Sequence, residues 1–135
     1  MKRSVFAAAI GLLLSGCGAY AGPAAPSHSP GAGFDLVATD TDHAVTMRSG
    51  QRLEVVLHAP NGMNNWTHPQ SSDTSVLAPI VDPAATAARG VTLAAFQAVK
   101  PGQADVTANA SPMCSPGSAC PMYLAVYSLK VTVKP

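Results

Sequence analysis

From Tyr127 to Val133 the chain reads YSLKVTV. Tyr127, Leu129, Val131 and Val133 fall on one side of an extended backbone, and Ser128, Lys130 and Thr132 fall on the other. A period of two is the signature of a strand with one buried face, and a helix cannot satisfy it. A strand of this kind cannot stand alone, since its apolar face needs a second layer to cover it. Leu53, Val55 and Leu57 repeat the pattern against Glu54 and His58, between the turn signals SGQ and APNG.

The remaining candidate strands are Phe34–Thr39, Ala44–Arg48, Ser75–Val81, Val91–Val99, Ala104–Asn109 and Met122–Val133. Met122, Leu124 and Val126 make the start of the last run apolar on both faces, which predicts a central strand or a covered one. Pro79 within its run predicts an edge strand or a bulge. Ala84–Arg89 is alanine-rich enough for one helical turn before Gly90 stops it. About seven short strands with frequent turns predict an all-β fold, an antiparallel sandwich with immunoglobulin-like architecture.

The start of the chain has a different texture. Residues 1–17 read MKRSVFAAAIGLLLSGC, with Lys2 and Arg3 before an apolar run from Val5 to Leu14. That run is too short to span a bilayer, and it reads as the apolar region of a secretory signal. Leu14-Ser15-Gly16-Cys17 resembles a bacterial lipobox, which predicts acylation of Cys17 and a membrane anchor; the alternative is a plain signal peptide cut at a small residue such as Ala19 or Ala21. Each buried CH₂ of the acyl chains contributes ~0.8 kcal/mol to anchoring. The expected location is the extracytoplasmic side of a bacterial cell envelope.

Residues 18–33 are proline-, glycine- and alanine-rich and predict a flexible tether. Residues 34–135 are then one domain with a single core. Loss of Lys2 and Arg3 leaves six basic against seven acidic residues. With no basic patch, nucleic acid is not an expected partner.

With Cys17 taken by lipid, Cys114 and Cys120 remain, in the stretch SPMCSPGSACPMY. Outside the cytoplasm two thiols this close predict a disulfide. Closing so short a loop is worth about 2 kcal/mol in the chain-entropy estimate. The competing reading is a thiol and thioether clasp for a soft metal, but CxxC spacing is absent.

Chemistry-bearing motifs are sparse. The chain has no GxSxG, HExxH or phosphate-binding loop. His68, Asp73 and Ser71 or Ser72 could be drawn as a triad, but neighbouring loop residues seldom supply that geometry. His58, His68, Met63 and Met113 would suit copper by softness, without a recognised spacing. The expectation is therefore a protein that is not an enzyme, with no catalytic residue, metal or other cofactor. Trp66, the single tryptophan, has two compatible readings. It fills the core between sheets, and it supports a binding loop at Asn61 to Asn65.

The layout from Thr46 to Lys134 resembles the chagasin family of cysteine-protease inhibitors. LEVVLHAPNGMNNW runs from strand to tryptophan, with Pro60 and Trp66 at the family's separation. FQAVKPGQADVTA resembles the later strand–turn–strand, and YSLKVTV the closing strand. The resemblance implies an immunoglobulin-like domain whose loops cluster at one end and wedge into a papain-like cleft. Carried onto this chain, those loops hold Pro60, Asn61, Gly62, Met63, Asn64, Asn65 and Trp66, then Arg89 and Gly90, then Ser111, Pro112 and Met113.

The loops also depart from the family pattern. Ala59 stands at the family's Asn, Asn61 and Gly62 at its threonines, and Met63 at its glycine. Ser111-Pro112-Met113 takes the Arg-Pro-Trp place. Met63 and Met113 are expected to be exposed, adaptable apolar contacts. The implied partner is a protein, either a papain-like cysteine protease or another envelope protein. The alternatives are an accessory envelope domain and, behind it, a copper-handling lipoprotein.

Overall fold

A computed structural model describes residues 30–82 and 89–135 of the chain. The lipobox, Cys17 and most of the tether lie outside the described residues, as does all of the Ala84–Arg89 stretch except Arg89.

The described residues form eight strands: β1 (Leu36–Thr39), β2 (Ala44–Arg48), β3 (Arg52–His58), β4 (Gln70–Ser71), β5 (Leu77–Ile80), β6 (Val91–Ala98), β7 (Gly102–Ala110) and β8 (Ala125–Lys134). They form two four-stranded sheets, ordered β1-β3-β6-β5 and β2-β8-β7-β4. The result is an all-β, immunoglobulin-like sandwich. The core lies between the sheets and is built from the alternating residues read in the sequence. Leu53, Val55 and Leu57 on β3 face Leu129, Val131 and Val133 on β8, with Phe96 and Val106 beside them.

Both sheets are mixed, where the sequence pattern predicts an antiparallel sandwich. β1 pairs with β3 in parallel and β2 with β8 in parallel, while every other ladder is antiparallel. The cause is a crossing of the chain from one sheet to the other between Thr39 and Ala44. Direction reverses at each connection, so β1 and β3 run the same way and become neighbours once β2 has left for the facing sheet. β4, only two residues long, is absent from the sequence reading. Gln70-Ser71 shows no alternation, and its pairing depends on contact with β7.

Pro79 lies on β5, an edge strand, where its missing N–H leaves no ladder bond unmade. The PG turn before β7 is tight. A Cβ on Gly102 would lie 2.9 Å from Cγ2 of Val76, and its φ is +152°.

Two boundaries differ from expectation. β8 begins at Ala125, and Met122, Tyr123 and Leu124 are exposed rather than central or covered. Once the chain leaves the ladder at Ala110–Ala125, no second layer lies over them. The end of the tether also touches the domain. The Gly31 amide faces the Glu54 carboxylate at 3.4 Å, and Phe34 N donates to Gly31 O. This cover leaves Glu54 only 8% exposed on the outer face of β3.

Odd-numbered strands run toward one pole and even-numbered strands away from it. Residues 59–69, 81–82, 89–90 and 111–124 therefore share that pole, together with the short turn at 40–43. The chain enters β1 at the opposite pole, where Asp35 N donates to Arg52 O and Ser49 N to Lys134 O.

Candidate functional site

The three loops named from the sequence meet at this pole and are tied to one another by main-chain hydrogen bonds. Met63 and Pro112 form an isolated antiparallel bridge. Asn64 N donates to Ser111 O at 2.8 Å, and Met113 N to Gly62 O at 2.9 Å. The Asn64 side-chain amide adds bonds to Ser111 Oγ at 3.1 Å and to Pro112 O at 3.3 Å. Thr67 continues the seam, with its amide on Asn109 O at 2.7 Å and its hydroxyl accepting from Asn109 N at 3.0 Å.

On the other side, Asn65 Oδ1 accepts from Gly90 N at 2.9 Å, and Ala59 N donates to Gly90 O at 2.8 Å. The first loop is thus held by both neighbours. Its sharp turn uses Gly62 at φ +76°, a conformation glycine adopts without the Cβ penalty of other residues.

Trp66 supports this loop from below. It is 9% exposed, its indole Nε1 donates to His58 O at 2.8 Å, and its own carbonyl accepts from Thr92 Oγ1 at 3.0 Å. Its ring meets Tyr127 edge-on, with centroids 6.2 Å apart. Trp66 is therefore a core residue that also supports the backbone of the loop at Asn61 to Asn65. Burial, reinforced by the carboxylates of Asp42 and Asp40, pushes the Tyr127 hydroxyl well above its ordinary pKa. That hydroxyl has no hydrogen-bond partner among the described residues.

Between the loops runs a groove of about 680 Å³. Its lining draws on all three loops, with Asn61, Asn64 and Asn65 from the first, Arg89 and Gly90 from the second and Met113 from the third. Met113 is 61% exposed, as expected, but Met63 is only 8% exposed. The expectation of an exposed Met63 fails because its backbone is locked in the bridge to Pro112, which turns the thioether into the core. Pro112 is buried at the same junction, and Pro60 is half-buried. Asn61, Gly62, Asn64, Asn65, Arg89, Ser111 and Met113 remain exposed.

Cys114 and Cys120 are bonded to each other, with Cα atoms 5.5 Å apart. That separation is ordinary for a disulfide. The loop it closes is exposed throughout, with a turn from Ser118 N to Ser115 O and Gly117 at φ +84°.

The residues sketched as a triad or a copper site do not assemble. Asp73 directs its carboxylate at the amide and hydroxyl of Ser75, which hold its pKa below the ordinary value. Ser72 Oγ accepts from Asp105 N, and His68 stands apart on the exposed side of the first loop. His58 Nδ1 pairs with Asp40 at 3.2 Å on an outer sheet face, while Met63 is in the core. Among the described residues no three His, Cys, Asp or Glu side chains gather as a metal site.

No protein-family model matches the chain, and no curated protein matches it in sequence. Solved structures do match its fold. The cysteine protease inhibitor EhICP2 from Entamoeba histolytica aligns over 76% of this chain and 100% of its own, with a TM-score of 0.51 and 14% identity. The solution structure of amebosin aligns over 73% of this chain and 97% of its own, with a TM-score of 0.43 and 15% identity. At such identity the likeness is one of fold. The fold implied by the resemblance to the chagasin family is the one this chain shares with a cysteine protease inhibitor.

Proposed function

We propose that this chain is a lipid-anchored envelope protein that binds a protein partner through its loop pole, with a papain-like cysteine protease as the favoured class. The observation that carries the reading is the hydrogen-bonded union of the loops at 59–65, 89–90 and 111–113 into one ordered surface. Loops already fixed in one conformation lose little entropy on binding, so their contacts convert more fully into affinity. The shared fold with a protease inhibitor supports the choice of partner class. The anchor is Cys17, and its address is the extracytoplasmic face of the envelope.

In this reading the loop from Pro60 to Asn65 and the turn at Arg89-Gly90 are the two lips of the groove, and Met113 supplies an adaptable apolar contact. Asn61 and Arg89 offer donors to main-chain carbonyls in a protease cleft. Binding there obstructs substrate without any reaction of the chain itself.

The test is a titration of the purified protein into papain acting on a fluorogenic peptide. Activity is expected to fall in a saturable manner, and Asn61→Ala with Arg89→Ala is expected to weaken the effect at least tenfold. Full papain activity at micromolar protein would remove the support for protease inhibition.

A further inference from the structure

Residues 121–124 belong to neither sheet and contribute nothing to the core. Met122 is fully exposed, Tyr123 is 56% exposed, Leu124 61% and Val126 68%. Apolar side chains of this size favour burial, and four left in water within five consecutive positions form a patch rather than scatter. Ser111, Pro112 and residues 120–124 together line a groove of about 620 Å³. The disulfide anchors the near end of the segment, and the β7–β8 ladder anchors the far end.

We propose that this groove and patch form a second contact surface for the same protein partner, receiving a neutral, apolar segment of it. The proposal rests on the protein-binding reading above and extends the interface beyond the loop tips. The chemistry of the occupant follows from charge. From Ala110 to Leu129 there is no Asp, Glu, Lys, Arg or His, so nothing there would compensate a buried charge.

The chain's own tether does not fit. Tyr20 is the one large apolar residue between positions 18 and 33, and the tether enters at the opposite pole. The bilayer is disfavoured by the same geometry. The ten residues of β8 span roughly 33 Å at the usual strand rise, so the patch faces away from the pole where the anchor attaches. Continuity supports a shared partner, because Pro112 borders the second groove and is bridged to Met63 in the first loop.

The experiment places p-benzoylphenylalanine at Met122, at Asn61 or at Gln103 of the full chain, in cells that produce it, followed by irradiation. Gln103 lies near the tether pole and serves as the control. The expected result is one protein adduct of the same mass from Met122 and Asn61, and none from Gln103. The partner peptide joined at Met122 should be neutral and apolar. Met122→Ser with Leu124→Ser should leave thermal melting unchanged and lower the Asn61 adduct at least fivefold. An adduct at Asn61 alone overturns the second surface and leaves the loop reading standing. A Met122 adduct to lipid, to a second copy of the chain or to a charged peptide overturns the proposal outright. An adduct at Met122 without one at Asn61 defeats the shared interface and, with it, the loop reading.

Discussion

Trp66 shows how one side chain can join the core to a loop. Its indole donates to His58 O, its carbonyl receives Thr92, and its ring packs on Tyr127. Trp66→Ala is expected to cost about 3–5 kcal/mol in urea denaturation, and to loosen the loop from Asn61 to Asn65 along with the core. Tyr127→Phe should behave in the opposite way. It removes a buried hydroxyl without a partner, so stability is expected to hold or rise by up to about 1 kcal/mol. Gly102→Ala must displace Val76, and a loss of about 1–3 kcal/mol is expected from the same measurement. Asp73 contributes one pH dependence. Its depressed pKa contributes stability that is present above the unfolded value of about 3.9 and lost as pH falls through the folded one. Asp73→Asn should therefore flatten the stability profile below about pH 4.

At the scale of elements, what the sequence discloses depends on whether the determining contact is local. Tyr127 to Val133 alternates by itself, and its inward residues are those found in the core. Pro79 marks an edge by its own chemistry. β4 has no such mark, because Gln70 and Ser71 become a strand only when β7 lies alongside. Met122 to Leu124 misleads for the opposite reason: apolar residues imply burial only where a second layer exists. Met63 looked exposed by its place in a loop, and only the bridge to Pro112 makes it a core residue. Asn65 gave no signal of its role as a latch for Gly90, since asparagine in a turn has many uses. The disulfide was legible from the parity of cysteines. Cys114→Ser with Cys120→Ser is expected to cost no more than about 2 kcal/mol globally. Limited proteolysis should then cut the variant between Ser115 and Ser118, where the intact protein resists.

At the scale of the whole molecule, the loop pole and the tether pole are opposite, so an anchor at Cys17 would hold the loop pole outward. Cys17→Ser is expected to shift the protein from the membrane to the soluble fraction, or to block its maturation. Processing and membrane fractionation like those of the unaltered chain would contradict the anchor. The clustering of loops could be anticipated from the family resemblance, yet its physical origin is topological. Eight alternating strands give connections of two kinds. Those at the tether pole, residues 49–51, 72–76 and 99–101, are short, as is 40–43 at the loop pole, and the three longer ones, 59–69, 81–90 and 111–124, all follow odd-numbered strands.

The even number of strands has a practical outcome. A chain that reverses at every connection returns to its starting side after an even count, so Phe34 and Pro135 emerge together. A fluorescent protein or affinity tag fused after Pro135 would sit beside the tether and leave the groove unobstructed. With one strand fewer, the same tag would cover the surface it was meant to report on.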